Sequence, residues 1–207
     1  MVKVCLLFND NRLKYILIKL LKEYNITFTE SSFNKIPLDI NTIFTDNIDL
    51  KNKLSSSNIK TILIDSQPSE SLILNILPYI YNKTIFNQLV AGIDPGKNYG
   101  FIVIADGYTI FSGIFRNVGF LVKKIADLFS NIPSKDKLIR IGNGGGKYLT
   151  IFLSHLKNIP QNILGKMSIE LVEESSCSNF ISINTRSEDI ISAYIIALNK
   201  GKRIELK

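Results

Sequence analysis

The apolar residues of the chain fall into two arrangements, and the arrangement changes near Gln88. Before that point, short apolar runs alternate with stretches in which apolar residues recur every three or four positions. The run 2–8 ends at Asn9 and Asp10, and helical spacing then joins Leu13, Ile16, Leu17, Leu20 and Leu21. Strands and helices in alternation are typical of a parallel sheet covered by helices. We therefore expect residues 1–87 to form a small three-layer α/β domain with a mostly parallel sheet.

The second half opens with three apolar runs in close succession. The short turns Pro95-Gly96 and Asp106-Gly107 separate them, and such turns connect antiparallel strands. Helical and strand patterns then alternate. The predicted strands cover 89–94, 100–105, 109–115, 138–141 and 167–172, and the predicted helices lie near 120–128, 148–156 and 187–199. We expect residues 88–207 to form a second domain with the order βββαβαβα and a mixed five-stranded sheet.

The composition indicates a folded protein with an anionic partner. Apolar residues make up 45% and charged residues 21%, and no apolar run approaches the roughly 20 residues that span a bilayer. Lys and Arg total 25 against 18 Asp and Glu, giving a net charge of +7. Residues 1–90 hold 10 basic and 8 acidic side chains, whereas residues 91–207 hold 15 and 10. The larger excess in the second half favours a polyanion there.

Cysteine usage and the N-terminal residues indicate the compartment. Cys5 and Cys177 are too few for a disulfide framework or a thiolate metal site. The first residues lack a small-residue cleavage site behind their apolar stretch. We expect an unprocessed cytoplasmic protein with no membrane segment.

Carboxylates follow or precede several elements of the second half. Asp94 ends the first predicted strand, Glu173 and Glu174 follow the fifth, and Glu188 and Asp189 open the last helix. Singly, each has a structural explanation as a turn residue, a solvated strand end or a favourable charge at a helix N-terminus. Together they place carboxylates at one end of the predicted sheet. A bound cation would relieve the repulsion within such a cluster, and oxygen ligands suit Mg²⁺ or Mn²⁺.

These motifs carry a family resemblance over about residues 89–199. The sequence GIDPG at 92–96, with Gly100, resembles the first-strand motif of RuvC-type Holliday junction resolvases and the related YqgF-type proteins, within the ribonuclease H-like superfamily. VEES at 172–175 and DIISA at 189–193 are similar in placement to the later acidic motifs of those proteins. The resemblance implies a ribonuclease H-like fold for the second domain, of the archaeal RuvC-like kind, and leaves the first domain unexplained.

The resemblance also implies an activity and a set of residues. Asp94, Glu173 and Asp189 would be the catalytic, metal-binding acids, and the amide oxygen of Asn143 is a further candidate ligand. Ser192 stands where RuvC-type enzymes carry another acid. The implied function is a Mg²⁺- or Mn²⁺-dependent, structure-selective endonuclease that cleaves branched DNA such as Holliday junctions. A homodimer is implied as well, because a junction has two symmetric strands to cut.

Nucleic-acid contacts are expected beside the acidic motifs. Lys97, Lys147 and Arg186 are candidates for backbone phosphates, and Tyr99 for stacking on an unpaired base. Solvated lysines and a packed tyrosine are the alternative explanation. Two other functions stay open: a non-catalytic nucleic-acid-binding protein with the same fold, and an actin-like ATP-binding domain. The second of these needs two such units, whereas one fits after Gln88.

Overall fold

A computed structural model describes residues 4–32, 35–37, 39–164, 167–173 and 187–205. The chain divides into two compact units, Met1–Ile85 and Phe86–Lys207, whereas the sequence predicted the boundary after residue 87. The difference arises because the first strand of the second unit already starts at Phe86, which is fully buried and pairs with Ser134. Within the described ranges, no helix combines the length and apolarity needed to cross a membrane.

The first unit is built on a four-stranded sheet in which every neighbouring pair is parallel. Its order is β2-β1-β3-β4. The elements are β1 (Val4–Leu7), α1 (Asn11–Glu23), β2 (Phe28–Glu30), β3 (Thr42–Thr45), α2 (Ile48–Lys53), β4 (Lys60–Leu63) and α3 (Glu70–Ile80). The two central strands, β1 and β3, are buried along their whole length, as expected for a sheet with helices on both faces.

The helices of this unit lie on both faces of the sheet. Cys5, Leu7 and Ile43 form a buried cluster against Leu50 and Leu54, at and just after α2. The crossover from β1 to β2 runs across the sheet in the opposite direction to that from β3 to β4. Because parallel crossovers are right-handed, α1 lies on the face opposite α2, and α3 contacts α1. The unit therefore has three layers.

The acids that follow β1 and β3 have structural partners. The Asp10 carboxylate accepts hydrogen bonds from the backbone N–H groups of Arg12 and Leu13 and caps α1. Asp46 accepts from the N–H groups of Asn9 and Asp10. Both side chains order the turn that leads into α1.

The second unit contains a mixed six-stranded sheet. Its order is β10-β9-β8-β5-β6-β7, with β5, β8 and β9 mutually parallel and the remaining pairs antiparallel. The elements are β5 (Phe86–Asp94), β6 (Tyr99–Ala105), β7 (Tyr108–Phe115), α4 (Val118–Asn131), β8 (Ser134–Gly142), a 3-10 turn (Asn143–Gly145), α5 (Lys147–Leu156), α6 (Gln161–Leu164), β9 (Ser168–Val172), α7 (Glu188–Leu198) and β10 (Lys202–Ile204).

The residues that the structure describes form six strands in this sheet, so the prediction of five strands is wrong. The sixth strand, β10, adds antiparallel to β9 at the sheet edge, pairing Lys202 with Leu171 and Ile204 with Ile169. It has two exposed basic residues in three positions, so no apolar run marks it. Backbone hydrogen bonding at the edge, and not side-chain burial, forms this strand.

Helix α7 lies directly on the sheet because glycines remove the side chains between them. A Cβ atom on Gly92 would overlap the carbonyl oxygen of Ala193 and lie 2.6 Å from the Cβ of Ala197. A Cβ atom on Gly100 would overlap the carbonyl oxygen of Asp189. Around this contact Val90, Ile102, Ile104 and Leu138 form a buried cluster with Ala193 and Ala197. The helix therefore runs antiparallel to β5 and begins near the end of that strand.

Candidate metal centre

The carboxyl ends of β5, β8 and β9 lie along one edge of the second sheet, and a polar residue lies at or just after each of these ends. Ile93 of β5 pairs with Ile141 of β8, and Gly142 of β8 pairs with Val172 of β9. Because these strands are parallel, their carboxyl ends lie side by side. Asp94 closes β5, Asn143 follows β8 and Glu173 follows β9. The register therefore aligns three of the predicted ligands along one edge.

A hydrogen bond joins two of these residues. The Nδ2 amide of Asn143 donates to Oε1 of Glu173 over 3.0 Å. Both side chains are exposed. Among the described residues no hydrogen bond engages Oδ1 of Asn143, so the amide oxygen retains its lone pairs for another ligand. The bond uses the Nδ2 group and leaves the Oδ1 atom for a cation.

The loop after β8 packs against the turn after β5. A Cβ atom on Gly145 would overlap the carbonyl oxygen of Pro95 and lie 2.6 Å from its Cβ. Gly146 follows with φ 53° and ψ −122°, a conformation that side chains disfavour, and α5 starts at the next residue. Glycine at these two positions lets the loop approach Pro95 and then turn into the helix, which keeps Asn143 near the end of β5.

The fourth predicted ligand reaches this edge from the face of the sheet. The backbone of Asp189 lies on Gly100, and Gly100 pairs with Asp94 across the β5–β6 ladder. Asp189 is therefore a neighbour of Asp94 through one intervening residue. Asp94 and Asp189 are both half-buried. Asp189 also lies in the first turn of α7, where the helix dipole favours a negative charge.

The four residues fit a divalent cation in donor type, since carboxylate and amide oxygens are the ligands of Mg²⁺ and Mn²⁺. The spacing between the acids, however, is wider than a metal site requires. In the part of the chain that the structure describes, no three His, Cys, Asp or Glu side chains come close enough together to hold a metal ion. Glu174 and Arg186, which the sequence also implicated, lie outside the described residues. The fold thus assembles the donors at one edge without closing them around one point.

The two predicted phosphate-binding lysines are at the same edge. Lys97 is exposed in the turn between β5 and β6, and Lys147 is exposed at the start of α5. The Nζ atom of Lys147 lies 5.2 Å from the ring centroid of Tyr148. Both lysines are accessible to a phosphate backbone that approaches the acidic residues.

Tyr99 is not accessible, so the prediction that it stacks on a base is wrong. Its exposed fraction is 3%, and its ring packs against Tyr148 and Phe152. Its hydroxyl donates to the backbone oxygen of Tyr148 over 3.1 Å. Burial raises the pKa of Tyr99, with a smaller contribution from Tyr148. Tyr99 and Phe101 point to the same face because side chains alternate along β6, and this face is covered by helices.

Arg140 has a structural role that the sequence did not indicate. Its Nε donates to Oε2 of Glu170 over 3.0 Å, and its Nη1 donates to the backbone oxygen of Ala197 over 2.6 Å. The same Glu170 oxygen accepts from the N–H of Gly201. The pair ties β8 and β9 to the last turn of α7. The signal in the sequence was a lone cation within an apolar strand.

Comparison with known proteins assigns no family. No protein-family model matches the chain, and no curated protein matches it. Among solved structures, the chain is similar to the Argonaute of Marinitoga piezophila in complex with a 5′ OH guide RNA, with 14% sequence identity and a TM-score of 0.27. The match covers 83% of this chain and 39% of the Argonaute chain. A similarity this weak assigns neither a fold family nor an activity.

Proposed function

We propose that the protein is a metal-dependent, structure-selective endonuclease that hydrolyses phosphodiester bonds of nucleic acid, with branched DNA such as Holliday junctions as its substrate class. The observation that carries this proposal is the shared sheet edge. Asp94, Asn143 and Glu173 end three adjacent parallel strands, and the backbone of Asp189 lies on Gly100 beside them. Four residues with oxygen donors, from four elements, are therefore located at this end of the sheet.

A ribonuclease H-like fold for the second unit is part of the proposal. A three-stranded meander, β5 to β7, is followed by α4, β8, α5, β9 and α7, which is the βββαβαβα order predicted from the sequence pattern. The short α6 and the edge strand β10 are additions to that order. The parallel strands β8 and β9 join the meander at β5, the strand that carries Asp94.

The chemistry assigned to the site is hydrolysis. Asp94, Glu173 and Asp189, with the Oδ1 atom of Asn143, would hold Mg²⁺ or Mn²⁺. When bound, the cation supplies Lewis-acid stabilisation of the charge that develops on the phosphate oxygens. Lys97 and Lys147 bind phosphates next to the cleaved bond and hold the nucleic-acid strand beside the acidic residues. Water adds across the P–O3′ bond, leaving a 3′-hydroxyl and a 5′-phosphate.

Replacing Asp94 tests this function. We expect Asp94→Asn to lower Mg²⁺-dependent cleavage of a labelled four-way DNA junction by more than about 100-fold, beyond the roughly 10- to 100-fold typical of groups that support a metal ligand. Binding measured by gel shift without divalent metal should persist. Asp136→Asn is the matched control, because Asp136 is exposed near the opposite end of β8. Full activity of Asp94→Asn would remove this edge from the reaction.

A second candidate is a non-catalytic nucleic-acid-binding protein with the same fold. It is favoured by the absence of three clustered acids among the described residues and by Ser192, which occupies a half-buried position on α7. This protein would bind the junction in both Mg²⁺ and Mn²⁺ and leave it intact. A homodimer is proposed for either function, and its mass in solution can be measured by light scattering.

A further inference from the structure

The outward face of α1, in the first unit, carries a row of basic residues around an exposed aromatic ring. Arg12, Tyr15, Lys19 and Lys22 follow one another at spacings of three, four and three residues. At 100° per residue these positions fall within an arc of about 80° on the helix. All four residues are exposed, and 58% of Tyr15 is accessible to solvent. We call this set the α1 stripe.

The charges of the α1 stripe are available to a partner. Lys14, on another side of the helix, forms an ion pair with Glu30 over 3.0 Å. In contrast, Arg12, Lys19 and Lys22 form no ion pair with any residue that the structure describes. The buried residues Leu17 and Leu21 hold the opposite side of the helix in the core. The stripe therefore presents three positive charges on a rigid support.

Tyr15 lies at the centre of this charge. The Nζ atom of Lys19 is 4.5 Å from the Tyr15 ring centroid, so the cation lies over one part of the aromatic surface. Exposed aromatic rings among basic side chains bind nucleic-acid strands by stacking on bases while the cations contact phosphates. Arg12 and Lys22 are about 15 Å apart along the helix axis, a length over which one strand of duplex DNA passes about four phosphates.

We propose that the α1 stripe binds the phosphate backbone of a nucleic-acid strand and that the ring of Tyr15 stacks on an unpaired base. This proposal rests on the proposed function for the identity of the polyanion. Charge complementarity and the aromatic centre favour nucleic acid over an anionic lipid surface, because the stripe presents one aromatic ring and no large aliphatic side chain for insertion among acyl chains. The first unit thereby acquires a role in substrate binding.

The test compares two triple variants of the full chain. Arg12→Gln with Lys19→Gln and Lys22→Gln removes the charges of the stripe. Lys51→Gln with Lys53→Gln and Lys60→Gln removes the same charge from α2 and β4 of the same unit, where all three lysines are exposed. Affinity for a labelled four-way junction with single-stranded overhangs is measured over a range of salt concentrations without divalent metal.

We expect the stripe variant to bind roughly tenfold or more weakly than the wild type. The slope of its log affinity against log salt concentration should become shallower by about 2.7, at about 0.9 for each of three phosphate contacts. The α2–β4 variant should keep the wild-type slope. Equal slopes in the two variants would overturn the proposal while leaving the nuclease proposal intact. Wild-type protein that binds no nucleic acid would overturn both.

Stacking is tested separately at Tyr15. We expect Tyr15→Ala to weaken binding to the overhang roughly fivefold or more, and Tyr15→Phe to retain it, because a base stacks on either ring. Tyr79→Ala is the control, since Tyr79 is also exposed and also has a lysine, Lys60, over its ring at 4.7 Å. Equal effects of Tyr15→Ala and Tyr79→Ala would refute stacking. Loss of binding to phosphatidylserine vesicles alone, with junction binding unchanged, would assign the stripe to lipid instead.

Discussion

The contact between α7 and Gly100 makes a sharp prediction for Gly100→Ala. The added methyl group would overlap the carbonyl oxygen of Asp189 and lie 2.6 Å from its carbonyl carbon and 3.2 Å from its Cα. Carbon atoms in contact are normally 3.5–4.0 Å apart. The obstacle is backbone, so no side-chain rotation relieves it. The start of α7 must move away from the sheet by about 1 Å.

This displacement has a cost in stability and a larger effect on the site. Overpacking a core costs about 1–3 kcal/mol. We expect about 3 kcal/mol here, because the new methyl group is attached to the backbone of β6 and clashes with the backbone of α7. The moving segment carries Asp189, whereas Asp94 stays on its strand. A shift of about 1 Å at a reacting group lowers rates on the order of 100-fold. Cleavage should therefore fall by about two orders of magnitude at temperatures where the variant is folded.

Urea unfolding followed by circular dichroism gives the stability, and junction cleavage gives the activity. Gly113→Ala is the matched control, because Gly113 is also in the sheet and the nearest atoms to its added methyl group would be Phe111 and Phe115 side-chain atoms at 3.4 Å, an ordinary contact distance. We expect that variant to lose less than about 1 kcal/mol and to cleave normally. A Gly100→Ala protein within about 0.5 kcal/mol of wild type would show that α7 does not rest on Gly100.

Two further predictions concern the supports of the site. Arg140→Met should lower the free energy of unfolding, measured with urea, by about 2 kcal/mol. This is less than the roughly 3–5 kcal/mol lost when one partner of a fully buried pair is removed, because both side chains are slightly exposed. Replacing Glu170 by Met as well should recover part of the loss. Tyr99→Phe should cost about 1 kcal/mol through the lost hydrogen bond to Tyr148 and leave junction affinity unchanged. Because burial raises the pKa of Tyr99 above 10.0, the fold favours the neutral phenol, so this part of the stability is present below about pH 10 and is lost as the pH rises through the folded-state pKa. Alkaline unfolding titrations should show a smaller loss in Tyr99→Phe, and an identical loss would contradict the assignment.

Local sequence signals were sufficient where side chains alone determine the element. The β6–β7 hairpin follows from Asp106-Gly107, and both residues have positive φ, 47° and 89°, as a two-residue hairpin turn requires. The long apolar helix α7 was expected near 187–199 and lies at Glu188–Leu198. These elements depend on turn residues and on side-chain burial, both of which can be recognised from the local sequence.

Elements that depend on partners far along the chain were not predictable. The first residues of β8 are polar, yet they belong to the strand because β5 supplies hydrogen bonds to them, as in the pairing of Gln88 with Asp136. The same holds for β10. The Arg140–Glu170 pair likewise needs the knowledge that β8 and β9 are neighbours. Sequence patterns report burial, whereas these features arise from backbone pairing and from charges brought together by topology.

The candidate site falls between these cases. Its residues were found from motifs, and their placement at one edge follows from the parallel register of three strands. The error at Tyr99 arose from its position beside Lys97 in sequence. Strand alternation places it with Phe101, on the face opposite Gly100 and α7, so period-two reasoning would have predicted its burial.

The direct seating of α7 on β5 and β6 sets the order in which the second unit is completed during synthesis. Strand β5 begins at Phe86, but the helix that covers it ends about 110 residues later, at Leu198. At about 5–20 residues per second, the ribosome takes on the order of 5–20 s to make that stretch. Throughout this interval the face of the sheet that contains Gly92 and Gly100 is not covered by α7, and Asp94 lacks its neighbour Asp189. The nascent chain therefore cannot assemble the full set of acids before Asp189 has been made, whereas the helices and strands described in the first unit are complete by Ile80.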